Sequence, residues 1–213
     1  MTETHYTLVD VCWTLFRSNT TFDFLDFAIK DKRYIRLRRF GRKRLVQLAN
    51  LLLYKLFRYD WLRSHCLRYL AGKSRSKLQA LAEQFYQEKL LPRRIGQIWE
   101  QLPRTNVIIV SGTLDIIAQT VAAHIGAEMY YATEMLYTDD IFTGRYKDLL
   151  LLKSSVLTRY TDYDIITDNL TDIDLVRHAR HATILVYNNR NRWLNQLPST
   201  ENITFIESTE QRY

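Results

Sequence analysis

Asp10 follows the β-forming run Tyr6-Thr7-Leu8-Val9, and a hydroxyl residue, Thr14, stands four positions further on. Ser111-Gly112-Thr113 follows a second such run, Val107-Ile108-Ile109-Val110. Asp168, Asn169 and Asp172 follow a third, Asp164-Ile165-Ile166-Thr167. A carboxylate beside a bound divalent cation can attack phosphorus and form an aspartyl-phosphate, which is the role these patterns suggest for Asp10. Carboxylate oxygen is also the ligand a hard cation prefers, so Asp168 and Asp172 are candidate Mg²⁺ ligands. The Ser111 hydroxyl and the nearby backbone N–H groups, at a helix start, suit phosphate oxygens. Taken alone, Asp10 reads more readily as a turn cap after a buried strand. Its chemistry depends on the other stretches reaching the same place.

A cation is also needed, to neutralise developing charge and hold Asp10 near a phosphate. Lys147 and Lys153 compete for that role. If residues 147–160 form a helix leading into a parallel strand, Lys147 lies in its first turn, at the sheet's C-terminal edge. Lys153 lies about 9 Å further along at ~1.5 Å per residue. The reading favours Lys147.

Several elements must position these residues. Residues 6–11, 107–110, 163–167, 183–187 and 203–206 read as short strands. Residues 114–124 read as a helix ending at Gly126, and 172–180 and 192–197 as further helices. Residues 129–132 and 135–137 suggest a strand and a hairpin arm around Asp139-Asp140. This rhythm implies an α/β fold, Rossmann-like, with a mainly parallel sheet and helices on both faces. Such sheets bind ligands at the C-terminal ends of their strands. Between the first and second strands the pattern turns wholly helical. Leu45, Leu48, Leu52 and Leu56 form one apolar stripe, and Leu78, Leu81, Phe85 and Leu90 another, with Ser74 or Ser76 as its N-cap. A compact sheet does not absorb some eighty helical residues in a loop, so the chain is divided into an α/β core (1–20 and 103–213) and an all-helical cap domain (21–102).

Composition is that of an ordinary globular protein: 213 residues, 46% hydrophobic and 25% charged. Cys12 and Cys66 are too few and too far apart for a disulfide framework or a zinc site. The start Met1-Thr2-Glu3-Thr4-His5 lacks the features of a signal peptide, so a cytoplasmic protein is expected. The formal charge of +7 is uneven. From Lys30 to Lys73 there are 14 Lys/Arg against Asp31 and Asp60, a balance of +12 that leaves −5 for the remainder.

The order Asp-x-x-x-Thr after strand one, a β-run ending in Ser, a lysine, then Asp-x-x-x-Asp after a later strand resembles the haloacid dehalogenase superfamily. The helical insert after the first motif, and the ending from Thr183 through Trp193, are similar to its phosphoserine-phosphatase-like branch. The resemblance implies a Mg²⁺-dependent phosphohydrolase acting on a small phosphorylated substrate through an aspartyl-phosphate on Asp10. It implies that the Cys12 carbonyl and Asp168 hold Mg²⁺, with Asp172 in direct or water-mediated support. Ser111 and Lys147 then clamp phosphate, Thr14 closes the first motif, and Gly112 and Asn169 contact phosphate or water.

Cys12 departs from the pattern. Phosphatases of this family carry a second aspartate there as general acid and base. A thiol has an ordinary pKa of about 8.5, and a neighbouring carboxylate pushes it higher. General acid–base help is worth about 10²–10⁴-fold, so a slow enzyme is expected. A C–X hydrolase or phosphotransferase stays open, as does a catalytically impaired protein that binds anionic ligands through its basic cap. The segment Arg33 to Arg44, followed by apolar residues 45–57, has three readings: an ordinary cap helix with a solvated basic face, a surface that attracts anionic substrate, or peripheral contact with an anionic membrane. No recognised nucleic-acid motif accompanies it, so nucleic acid is not an expected partner.

Overall fold

The computed structural model describes residues 4–149, 153–187, 195–197 and 201–208. Its sheet has seven strands: β1 (Tyr6–Val9), β2 (Val107–Leu114), β3 (Met129–Thr138), β4 (Ile141–Lys147), β5 (Tyr163–Thr167), β6 (Ala182–Tyr187) and β7 (Ile203–Ser208), in the order β4-β3-β2-β1-β5-β6-β7. All pairs are parallel except β3 with β4. The central strands are apolar on both sides because both faces are covered. Val9, Ile109 and Ile166 enter one core cluster, while Leu8, Ile108 and Ile165 enter the other. Helix α7 (Asp115–Ile125) packs in the first cluster and α8 (Ile173–His178) in the second. Gly126 ends α7 at φ 71, a conformation glycine adopts without a Cβ penalty.

Between β1 and β2 lie α1 (Thr20–Ala28), α2 (Lys32–Gly41), α3 (Arg44–Phe57), α4 (Trp61–Leu67), α5 (Arg75–Phe85) and α6 (Gly96–Trp99). Both ends of this insert meet at one place. The Ile95 N–H and the Trp99 indole N–H both donate to the Leu15 carbonyl, and the Arg17 N–H donates to the Arg93 carbonyl. Adjacent ends let the insertion leave the sheet's register undisturbed. Ser74, and not Ser76, caps α5 by accepting from the Lys77 N–H. The β3–β4 hairpin turns through Asp139 and Asp140 at φ 48 and 64, as a two-residue turn of the I′ type requires. Its far side is tied to the insert through Gly72 and Phe142, and through Arg75 and Asp140.

Four expectations change. Residues 129–132 and 135–137, expected as a strand and a hairpin arm, form the single strand β3, and its partner arm is β4. The strand expected to end at residue 110 continues to Leu114, placing Ser111 and Gly112 inside β2. The helix expected at 147–160 is absent in its first part: Lys147 ends β4, and residues 153–158 form a 3₁₀ turn. The reason lies in Ile141–Lys147, whose buried Phe142 and Gly144 alternate with exposed neighbours at the strand period of two. The stripe Leu45-Leu48-Leu52-Leu56 is a helix face, but it points outward, and no residue of α3 is buried. The helix expected at 192–197 lies largely outside the described residues.

One polar cluster fixes α2 against α1. Asp26 accepts from Arg38 Nε at 2.9 Å and Nη2 at 3.0 Å, from the Tyr34 hydroxyl and from Arg42. Burial pushes its carboxyl up, but the hydrogen bonds from Arg38 and Tyr34 and the Arg42 charge outweigh this and hold it below the ordinary value. Its stabilising effect is therefore present above the unfolded pKa of about 3.9 and lost as pH falls through the lower folded value. Asp26→Asn is expected to cost about 1–2 kcal/mol, allowing for the pair's partial exposure. Urea titrations should show that deficit at neutral pH and a shrinking one below about pH 4.

Candidate active site

The site begins with register. Val9 pairs with Ile109 on one side and Ile166 on the other, and the Asp10 N–H donates to the Ile166 carbonyl at 3.0 Å. Asp10 is thus one residue past β1, beside the end of β5, where Asp168 is likewise one residue past its strand. Neighbouring parallel strands carry both carboxylates out at one edge, with Asp10 3% and Asp168 5% exposed. Beyond Asp10 the chain makes a tight loop, in which the Leu15 and Phe16 N–H groups donate to the Val11 carbonyl and the Tyr187 hydroxyl to the Trp13 carbonyl at 2.7 Å. Trp13 sits at φ 59, a conformation a bulky residue adopts at a cost of about 1–3 kcal/mol and one that clusters at functional sites.

Each remaining candidate has a definite place. Thr14 is fully buried and donates to the Asp168 carboxylate at 3.1 Å, so it orients that carboxylate. The buried Asp172 accepts from the Thr167 hydroxyl at 2.6 Å. Asn169 accepts from the Thr171 N–H through its side chain. Ser111 is fully buried, its hydroxyl accepting from the Thr113 N–H.

A cavity of about 160 Å³ opens at this edge, lined by Asp10, Cys12, Trp13, Asn19, Thr21, Phe22, Asp60, Arg63, Gly112 and Asn169. Trp13, Asn19, Phe22 and Asp60 also line a larger cleft of about 1100 Å³, whose far wall includes Gln47, Asn50 and Tyr54 of α3. Asp10, Cys12, Gly112 and Asn169 are therefore brought together. Thr14, Ser111, Asp168 and Asp172 lie buried outside the lining, and Lys147 is exposed at the end of β4, also outside it.

Among the described residues the cation that borders the cavity is Arg63, which sequence reasoning missed; the side chain of the competing candidate Lys153 lies outside them. Arg63 comes from α4 of the insert and is only 4% exposed. Its Nη2 donates to the Gly112 carbonyl at 2.6 Å and its Nη1 to Asp148 at 3.3 Å. Arg63 Nε is buried and makes no hydrogen bond among the described residues. Nothing local marked this arginine among the many cations of its segment.

Cys12 is a free thiol, its Sγ 2.8 Å from the Thr20 hydroxyl. Thr20 also hydrogen-bonds the Thr113 hydroxyl at 2.6 Å, so the thiol sits at the end of a short buried hydroxyl chain. Burial, followed by the charge of Asp10 and a smaller contribution from Asp168, pushes the thiol up to about 11 against the opposing hydrogen bonds from Thr20.

Solved structures with this fold include a protein of unknown function from Bordetella pertussis Tohama I, at 17% identity and a TM-score of 0.66, covering 95% of this chain and 97% of that one. A phosphoserine phosphohydrolase-like protein from Francisella tularensis subsp. tularensis SCHU S4 matches at 14% identity and a TM-score of 0.56, covering 94% and 95%. A phospho-aspartyl intermediate analogue of phosphoserine phosphatase matches at 13% identity and 0.52, covering 95% and 93%. No curated protein matches. The model of the haloacid dehalogenase-like hydrolases matches residues 8–163, most of the chain and both sides of the helical insert. The chain belongs to that family of hydrolases.

Proposed function

We propose that this protein hydrolyses phosphoric monoesters, with Asp10 as nucleophile and Mg²⁺ as cofactor. The observation that carries the reading is the pairing of two buried carboxylates, Asp10 and Asp168, at the ends of adjacent strands, with Asp10 on a cavity bordered by Arg63. Adjacent like charges call for a cation. Among the described residues no three His, Cys, Asp or Glu side chains are grouped to hold an ion alone. Mg²⁺ fits such a site nonetheless, because it takes oxygen donors and keeps several waters. Asp10, Asp168 and the Cys12 carbonyl would hold it, supported by Asp172. When bound it screens the negative charge between nucleophile and phosphate.

In the reaction an Asp10 carboxylate oxygen attacks phosphorus. The bond from phosphorus to the ester oxygen breaks, and its electron pair leaves with that oxygen, which must gain a proton. Water then attacks phosphorus, the bond to Asp10 breaks and the carboxylate returns. Arg63 sets its positive charge beside the cavity that would take the phosphate, while its two Nη groups hold it to the core. The position that normally carries protons in both steps is Cys12, whose raised pKa makes it a poor carrier.

The test is hydrolysis of an aryl phosphate with and without Mg²⁺, comparing the protein with Asp10→Asn; equal rates sink the reading. Arg63→Lys keeps the charge but not the fork, and is expected to lower kcat/KM by about 10²-fold, chiefly by weakening transition-state contacts. An unchanged kcat/KM would remove Arg63 from the site. Binding without turnover is the second reading, and Cys12 is the observation that favours it.

A further inference from the structure

We propose that the outer face of α2 and α3 docks on an anionic lipid bilayer, with α3 lying along the headgroup plane. On α3 the half-buried positions Val46, Asn50 and Tyr54 recur every four residues and face the protein. Asn50 holds the helix there, donating to Asp60 at 3.0 Å and accepting from the Leu62 N–H at 3.1 Å. That orientation turns Leu45, Leu48, Leu52 and Leu56 outward, with Leu45 82% and Leu56 73% exposed. An ordinary surface helix buries such a stripe and shows its polar face to water; α3 does the reverse. Ile35 and Phe40 of α2 are exposed as well, making a large apolar patch of the kind that marks an interaction site.

Charge decides the occupant. From Lys30 to Arg58 the chain carries 11 Lys/Arg and one acid, Asp31, a balance of +10. Arg38 and Arg42 are paired with Asp26, but Arg36, Arg39, Lys43, Arg44, Lys55 and Arg58 are exposed. A second copy of this chain would bring an equal positive charge against the first. A polynucleotide would satisfy the cations and leave the leucines in water. An anionic bilayer satisfies both, apolar side chains entering the acyl boundary and cations meeting headgroups. Spanning is excluded for α3: its 14 residues reach about 21 Å, short of the ~30 Å hydrocarbon core. Among the described residues no helix is long and apolar enough to cross a membrane. The proposal does not depend on the phosphatase reading.

The test is co-sedimentation of the full chain with vesicles of phosphatidylcholine alone, and of phosphatidylcholine mixed with phosphatidylserine. Binding to the anionic vesicles is expected to be at least roughly ten-fold tighter and to weaken with salt. Leu48→Glu with Leu52→Glu and Leu56→Glu should lower it at least roughly ten-fold while circular dichroism stays unchanged, since these side chains are exposed. Arg39→Glu with Lys43→Glu should remove the preference for anionic vesicles. Equal binding to neutral vesicles, or binding that survives the three glutamates, overturns the proposal. So does self-association abolished by the glutamates in a protein that ignores vesicles, or polynucleotide binding without vesicle binding.

Discussion

Asp10→Asn is expected to reduce aryl phosphate hydrolysis by about 10⁴–10⁶-fold, the scale seen when a covalent nucleophile is removed. An amide oxygen keeps its lone pairs but lacks the charge that makes a carboxylate nucleophilic, and Asp168, buried outside the cavity lining, is not placed to replace it. The fold should survive, because the Asp10 contact that sets register is its backbone N–H to Ile166. Without metal the variant should be at least as stable as the parent, since it removes one of two neighbouring buried carboxylates. A thermal melt therefore separates lost chemistry from lost structure. Activity lost together with a large drop in Tm would assign Asp10 a structural role.

Cys12→Asp is expected to raise turnover by about 10²–10⁴-fold, the ordinary worth of a placed general acid and base. Burial and the Asp10 charge push the thiol up to about 11, far above the pH of the reaction, so it stays protonated. As an acid the thiol is weak, because the same burial and Asp10 charge hold its proton on sulfur. An aspartate in its place would feel the same burial and the same carboxylates, raising its own pKa toward neutrality, where one group can both donate and accept. The gain should show a bell-shaped pH profile that the parent lacks. Cys12→Ser, which adds no titratable group, should show no gain. If Cys12→Asp also shows none, the frame lacks more than a proton carrier.

The sheet edge was readable because short apolar runs ending in Asp10, Ser111 and Asp168 report strands and their C-terminal ends directly. The two-residue acidic turn at Asp139-Asp140 was legible for a similar reason: few residues tolerate that backbone. Lys147 was harder. Gly144, and a strand half exposed to solvent, weakened the alternation of Ile141–Lys147, and the apolar residues after it suggested a helix starting too early. Arg63 could not be singled out, because its role comes from a fold-back that sets α4 against Gly112, 49 positions away in sequence. In α3 the periodicity named a face correctly but carried no information on what covers it. Leu48 and Leu52 fit a buried helix and a docking helix equally well, and only the packing of Asn50 against α4 distinguishes the two.

The central claim is that Asp10 becomes phosphorylated during turnover. The direct measurement is a rapid-quench experiment: mix the protein with an aryl phosphate and Mg²⁺, stop it in acid, digest and map any phosphoryl adduct by mass spectrometry. Because Cys12 is ill suited to activate water, the account predicts an intermediate that accumulates on the peptide containing Asp10, and that decays faster in Cys12→Asp. Turnover with no adduct, or an adduct on another residue, would contradict it.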